Sequence, residues 1–531
     1  MGHEEARPGP WGSADVPVGR GAVISAAAEF HLCIVQPAGY VHSLGLLDPA
    51  RYLRWQLRRL GLDATLAKNR LREDAINIVL GAHLGFDLAL RERNACVFLN
   101  LEQLGDGGAA ISAAYLKLLR GSAVADYDAA NVAAYCSTAG DVPVVPFLHA
   151  PYLGGAQVLP LAERPIDLLF FGSMNERRRA FIGRIEACGV SVSQFDQAIY
   201  GPERDHYIRQ AKAVLNCHFY ESSRFEQARV AHCLSLGTPV ISERSHATQP
   251  GPAFEDAVTW LDGPRLEAFF REEFARPVFF ARAQDQLSRF AQHDALEAYA
   301  DLVGFCRGYR EGHARGKAGS EWRAQQLNIG SGKDYRPGWL NVDVLERAEP
   351  DLVLDLAAPL QLPLTVTTRF GAPLLLEAEG LQRICASNVL EHVPDLPQLM
   401  SNALELLAVG GEFEIEVPYE KALTAWQDPT HLRAMNENSW IYYTQWFWYL
   451  GWFTHRFDVA ASTWLDPQLQ PCAKDTAAFM RVCLRKVCTT AQERNLARTM
   501  RADFGGVDDD VPAAALATLA ARQAEDCAVT A

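Results

Sequence analysis

The chain has 531 residues, too many for one hydrophobic core, so its length implies two to four domains. Of these residues 49% are hydrophobic and 21% charged, the balance of a globular protein rather than of a disordered or membrane-embedded one. The formal net charge of −14 lacks the basic surface that general nucleic-acid binding needs, so no nucleic-acid partner is expected.

Residues 1–27 open MGHEEARPGPWGSADVP, acidic and rich in Pro and Gly, with no basic stretch ahead of an apolar core. They read as a disordered leader and not as a signal peptide. Ala6 breaks the myristoylation pattern after Gly2. No run reaches the ~20 apolar residues of a membrane helix, so the cytoplasm is the expected compartment. The twelve cysteines form no C-x-x-C pair and several sit in apolar runs, the pattern of buried thiols in a reducing compartment; no metal site is expected.

From residue 28 to about 160, HLCIV, INIVL, ACVFLNL and VPVVPFL read as strands buried on both faces, because their apolar residues are nearly continuous. A helix from Pro49 to Leu60, stopped by Gly61, lies between the first two. Alternating strand and helix predicts a parallel sheet with helices on its faces. A second such unit spans 161–295. IDLLFFGS is a strand ending in a small-residue turn, NERRRAFIGRIEACG a helix, and VSVSQF, AVLNCHF and TPVIS further strands; FEQARVAHCLSLG is a helix capped by Gly237 and stopped by Pro239. Residues 296–322 are helical and charged and read as a linker. The third unit covers 323–490, and 491–531 is a tail without assignable chemistry.

The third unit opens LNIGSGKDYRPGWLNVDV. Gly330, Ser331 and Gly332 follow a first strand, where glycines let a ligand approach the backbone, and Asp343 ends a second strand, where a carboxylate can accept from a ribose diol. A dinucleotide fingerprint would need a third glycine where Tyr335 stands, and a later acid. Asp355 occupies a loop suited to an adenine amino group. RICASNVLEHVPD delivers Asn388, Glu391 and His392 to the same sheet edge. A core-facing helix from Asp395 closes at Gly410 and Gly411, and EFEIEVP is the following strand. Asp428 lies three residues before His431, close enough to orient its imidazole. His431 is the first candidate base, His392 the second, and packing of a loop is an equal alternative for His431. Nine aromatics between Trp440 and Phe453 form either a buried lid or a stacking surface for a flat acceptor.

In this order the segments resemble the class I methyltransferases: the glycine turn, the second acid, LEH after the fourth strand, and L-x-x-G-G before the fifth. The short KDYRPG link replaces a full helix. The resemblance implies S-adenosyl-L-methionine as methyl donor, held by Gly330, Ser331, Gly332, Asp343, Asp355 and Asn388. The second unit, through FFGSMNERR and RVAHCLSLGTPVISE, resembles the nucleotide-binding half of GT-B glycosyltransferases. That implies a UDP- or GDP-sugar at Gly172 and Ser173, with Arg177 and Arg178 on the diphosphate. His232 stands where that family carries its ribose-binding glutamate, leaving Glu226 and Arg229 as substitutes. His42 and Glu102 are base candidates in the first unit by position. The expected fold is α/β, three tandem open parallel-sheet units of Rossmann-like kind, two of them a GT-B-like pair. The expected function is bacterial glycan assembly by sugar transfer and O-methylation onto a glycan or small-molecule acceptor. The alternatives are a methyltransferase whose front half only binds, and a non-catalytic assembly subunit.

Overall fold

The computed structural model describes residues 28–37, 39–105, 111–136, 142–154, 159–195, 197–315 and 321–503. The leader, residues 316–320 of the linker, and the tail beyond 503 with its Asp cluster and Cys527 lie outside the described residues.

The first sheet comprises β1 (Phe30–Ile34), β2 (Ala64–Lys68), β3 (Ile76–Leu80), β4 (Cys96–Asn100) and β5 (Ala123–Asp126), all parallel, in the order 2-1-3-4-5. Every residue of β1, β3 and β4 is buried, as strands covered by helices on both faces must be. The run VPVVPFL is not one of them: only an isolated bridge joins Val144 to Asp126. Pro143 and Pro146 have no N–H to give a ladder.

The second sheet comprises β6 (Ile166–Leu169), β7 (Val192–Ser193), β8 (Ala211–Asn216), β9 (Val240–Glu243) and β10 (Thr259–Leu261), again all parallel, in the order 10-9-8-6-7. Counted from its own first strand, that is the order of the first sheet repeated. The two sheets face each other through their carboxyl ends. Gln103 Nε2 donates to the Ser222 carbonyl at 2.8 Å, Arg224 pairs with Asp128 at 2.7 Å, and Arg204 with Asp48 at 2.8 Å. The segment expected to be a linker is a helix, Leu296–Arg315, whose Tyr299, Leu302, Val303 and Cys306 are buried in the core beneath the first sheet.

The third unit adds β11 (Trp322–Arg323), β12 (Gln326–Ile329), β13 (Leu340–Asp343), β14 (Leu352–Val353), β15 (Leu364–Thr367), β16 (Pro373–Leu376), β17 (Leu381–Ser387), β18 (Leu407–Pro418), β19 (His455–Leu465) and β20 (Phe479–Cys488). Seven of them form one sheet, 14-13-12-17-18-20-19, in which β20 alone runs opposite to the other six. The strand order reverses between β12 and β17, and a crevice opens at such a switch point, outside the carboxyl ends. The helix Leu396–Leu406 is capped by Asp395, whose side chain accepts from the Gln398 amide. It ends before the expected Gly410–Gly411 stop, and those glycines belong to the opening of β18 instead.

The third unit docks on the first through the opposite ends of the strands. Arg70 reaches Glu349 at 2.6 Å and the Ala348 carbonyl at 2.7 Å, the Arg93 guanidinium lies 3.5 Å over the Trp322 ring, and Arg72 lies over Phe370. Residues 70–74 and 93–94 lead into β3 and β4, and 335–339 and 349–351 lead into β13 and β14. Both partners therefore meet through amino ends. The expected α/β fold of three open sheets holds, the first two wholly and the third mostly parallel. Among the described residues no helix is long and apolar enough to cross a membrane.

Candidate functional site

At the switch point of the third sheet, Gly330 (φ +63°) and Gly332 (φ +37°) turn the chain back over β13. The Gly332 amide donates to Asp343 Oδ2 at 2.9 Å and the Leu345 amide to Oδ1 at 2.8 Å. An ionised carboxylate offers about four lone-pair positions. Two are used here, and two remain for a ribose diol on a residue that is only 8% exposed. The Ser331 hydroxyl is buried in the same turn without a partner. This donor set fits an adenosine group. Asp355 is exposed on the loop after β14 and accepts from its own Ala357 amide; Asn388 sits at the end of β17 in a left-handed conformation, φ +52°. Tyr335, in place of a third glycine, donates its hydroxyl to Asp351 at 2.7 Å. In place of the missing helix, two asparagines hold the short link: Asn328 donates to the Asp334 carbonyl, and Asn341 brackets both the amide and the carbonyl of Arg336.

Beside this turn the short 3₁₀ segment Leu390–His392 carries Glu391 and His392. His431 comes from the loop after β18, and its ring lies 4.7 Å from that of His392, edge to face. The expected pairing of Asp428 with His431 is absent. Asp428 instead closes a tight turn on Thr430, accepting from its amide at 2.8 Å and its hydroxyl at 2.7 Å. With that hydroxyl proton committed, Thr430 Oγ1 accepts from His392 Nδ1 at 2.9 Å, so Asp428 orients His392 through Thr430. His431 Nδ1 donates to the Ala425 carbonyl at 2.8 Å. Both imidazoles thus keep an Nε2 lone pair. Glu391 is 1% exposed with neither carboxylate oxygen hydrogen-bonded, and burial pushes its carboxyl up to about 7.

In the cleft between the first two sheets, Gly172 (φ +140°) ends the turn after β6. A Cβ there would lie 3.3 Å from Arg178 and 3.4 Å from Arg229. Arg229 Nη1 is buried with no partner, a free donor beside an exposed glycine and serine, which fits a diphosphate. Arg178 is spent on the Cys217 and Ser173 carbonyls. Arg177 is not available to an anion either, because Glu243 at the end of β9 holds it at 2.9 Å. Glu226 accepts from Asn216 at 2.9 Å and pairs with His218 at 3.0 Å. Burial would raise its carboxyl, but the His218 hydrogen bond and charge, with Arg229 and Asn216, outweigh that and hold it at about 2. His232 lies in an Asp205–Arg204 network at 2.8 and 3.0 Å. His42 meets the Tyr200 hydroxyl across the cleft at 2.9 Å, and Glu102 lies 3.4 Å from His83.

The chain is similar to two kinds of known transferase. No family model matches it. An 80-residue stretch is 31% identical to the uncharacterized protein L140 of Acanthamoeba polyphaga mimivirus, covering 15% of this chain and 26% of that one, so the chain spans about a quarter of that relative's length. AviGT4, a glycosyltransferase involved in avilamycin A biosynthesis, aligns over 54% of this chain and 98% of its own, at 15% identity and a TM-score of 0.35. An S-adenosylmethionine-dependent methyltransferase from Mesorhizobium loti aligns over 32% of this chain and 94% of its own, at 14% identity and a TM-score of 0.21. At these scores the fold stands on the strand orders given above.

Several groups that hold the candidate site residues came from outside the expected set. Thr430 meets His392 from a remote part of the chain, and His218 and Asn216 meet Glu226 from the end of β8, pairings that no helical or strand spacing announces. The aromatic run divides rather than acting as one surface. Trp440, Tyr443 and Phe447 are buried, whereas Tyr442, Trp446 and Tyr449 form an exposed cluster with ring centroids 5.2–5.5 Å apart. Trp448 is half-buried.

Proposed function

We propose that the third unit is a methyltransferase that binds S-adenosyl-L-methionine at the Gly330–Gly332 turn and methylates a hydroxyl of a glycan or small-molecule acceptor. The observation that carries this reading is the Asp343 carboxylate, held between the Gly332 and Leu345 amides at the switch point with two acceptor positions left. When bound, the donor supplies an electrophilic methyl on a sulfonium. The chain's own part is placement: the turn and Asp343 fix the donor, and the His392–His431 edge next to it receives the acceptor oxygen. Bringing two reactants into line supplies most of the acceleration in such a displacement. Calorimetry of the full chain with S-adenosylhomocysteine tests the assignment. Asp343→Asn sets an NH₂ against a backbone amide and removes a charged acceptor, which is worth about 1.5–3 kcal/mol per hydrogen bond and weakens binding at least tenfold. Equal affinity of variant and wild type, or tight binding of NAD, refutes it.

The tandem front units are proposed to hold a UDP- or GDP-sugar against Gly172, Ser173 and Arg229 and to pass the sugar to the acceptor, with the whole chain serving bacterial glycan assembly. A second reading, binding without transfer, is favoured by one observation: His218 engages Glu226, and His232 stands in the Asp205–Arg204 network, so that helix presents no uncommitted carboxylate to a ribose. A panel of nucleotide sugars separates the two. Melting shifts with glycoside product support transfer, shifts alone support a binding unit, and no shift removes both.

A further inference from the structure

Glu391 is an acidic side chain buried without a hydrogen-bond partner. Its carboxylate is 1% exposed, both oxygens lack a hydrogen bond, and two further acidic groups, Asp428 and Glu416, act on it along with His431. A buried carboxylate without partners is costly unless a proton or a cation compensates it. What faces it is a pair of imidazoles. One ligand atom each from Glu391, His392 and His431 can be chosen so that all three lie within 4.8 Å of one another.

The hydrogen bonds around this trio are those of metal-binding histidines. Such residues donate the other ring N–H to a carbonyl or, directly or through a relay, to a carboxylate, which fixes the tautomer and raises the basicity of the free nitrogen. His431 does the first, through Ala425, and His392 the second, through Thr430 and Asp428. With metal–ligand bonds of ~2.1 Å, two ligands of a tetrahedral site stand ~3.4 Å apart, so closing the trio from separations of up to 4.8 Å needs side-chain shifts of up to about an ångström.

We infer that Glu391, His392 and His431 bind one divalent transition-metal cation beside the methyl-donor turn. Two imidazoles and one carboxylate select the Mn–Zn series over Mg²⁺ or Ca²⁺, which prefer all-oxygen sites. Three protein ligands leave coordination positions open, the form of a catalytic site rather than a structural one. Its role rests on the methyltransferase reading. An acceptor hydroxyl bound there is acidified and gives up its O–H proton to water. The oxygen's electron pair then forms the bond to the methyl carbon as the carbon–sulfur pair returns to sulfur.

The test uses the untagged full chain, stripped with a chelator and titrated with Co²⁺ and then Zn²⁺ alone. One equivalent of Co²⁺ should bind with a visible ligand-field spectrum and be displaced by Zn²⁺. His392→Ala and His431→Ala should each weaken binding at least tenfold. Thr430→Val, which keeps all three ligands and removes only the orienting acceptor of His392, should weaken it roughly 10- to 100-fold. S-adenosylhomocysteine affinity of the metal-free chain should be the same in wild type and these variants, which also establishes that they fold. Absence of stoichiometric Co²⁺ binding overturns the inference, as does binding that the His392→Ala/His431→Ala double variant retains. Cation binding without S-adenosylhomocysteine binding would leave the site standing and remove the methyltransferase reading; the converse would do the opposite.

Discussion

Replacing Gly330 by Ala tests how the donor turn is built. A Cβ at this position would lie 2.4 Å from Val389 Cγ2 and 3.1 Å from Cγ1, inside any permitted contact, and the backbone sits at φ +63°. The left-handed conformation costs a non-glycine residue about 1–2 kcal/mol, and overpacking of this kind about 1–3 kcal/mol. The turn reaches its binding conformation only by displacing Val389, which leads directly into Leu390 and Glu391. Affinity for S-adenosylhomocysteine should therefore fall by roughly 2–5 kcal/mol, or about 30- to several thousand-fold. Val389→Ala removes the obstructing methyls and leaves the backbone strain. Calorimetry on wild type, both single variants and the double variant closes a cycle whose coupling energy should be about 1–3 kcal/mol in favour of the double. A coupling near zero would mean that Val389 does not set the turn, and the steric argument fails.

The cleft makes a paired prediction: Arg229→Gln should weaken UDP or GDP binding about tenfold or more, as a lost charge-assisted contact does, while Arg177→Gln should change it little because Glu243 already occupies that guanidinium. His31, buried on β1, is depressed to about 4 by burial first, with its hydrogen bond to the Arg70 carbonyl opposing. Its unfolded form binds the proton first, so its stability share is complete above about pH 6.5 and is lost as pH falls toward 4, by up to about 3 kcal/mol. Thermal melting should show that slope, and His31→Gln should flatten it; an unchanged slope refutes the assignment. Trp440→Ala should destabilise by about 3–5 kcal/mol as a core deletion, whereas Trp446→Ala on the exposed cluster should leave melting within about 1 kcal/mol.

Burial on both faces made β1, β3 and β4 readable as nearly unbroken apolar runs. The edge strand β2, ATLAK, is only partly buried, and β10 is three residues long, so neither produces such a run. VPVVPFL has the apolar content of a strand, but its prolines deny it the ladder. The repeated 2-1-3-4-5 order was invisible because topology recurs here without recurrence of residues. The donor turn was legible since glycine and a following acid are close in sequence. The Asp428–Thr430–His392 relay was not, because it depends on which of two nearby imidazoles the loop after β18 brings to the hydroxyl.

The contact of Arg70, Arg72 and Arg93 with Ala348, Glu349, Trp322 and Phe370 has a kinetic corollary. Because it joins amino ends to amino ends, the nucleotide cleft and the methyl-donor turn open in opposite directions. On the proposed function, an acceptor modified in one must leave to bulk water before it can enter the other. On the proposed reading, covalent joining of these units does not channel an intermediate, so an external trap should intercept nearly all of it, and catalytic output should match that of the two activities working in free exchange.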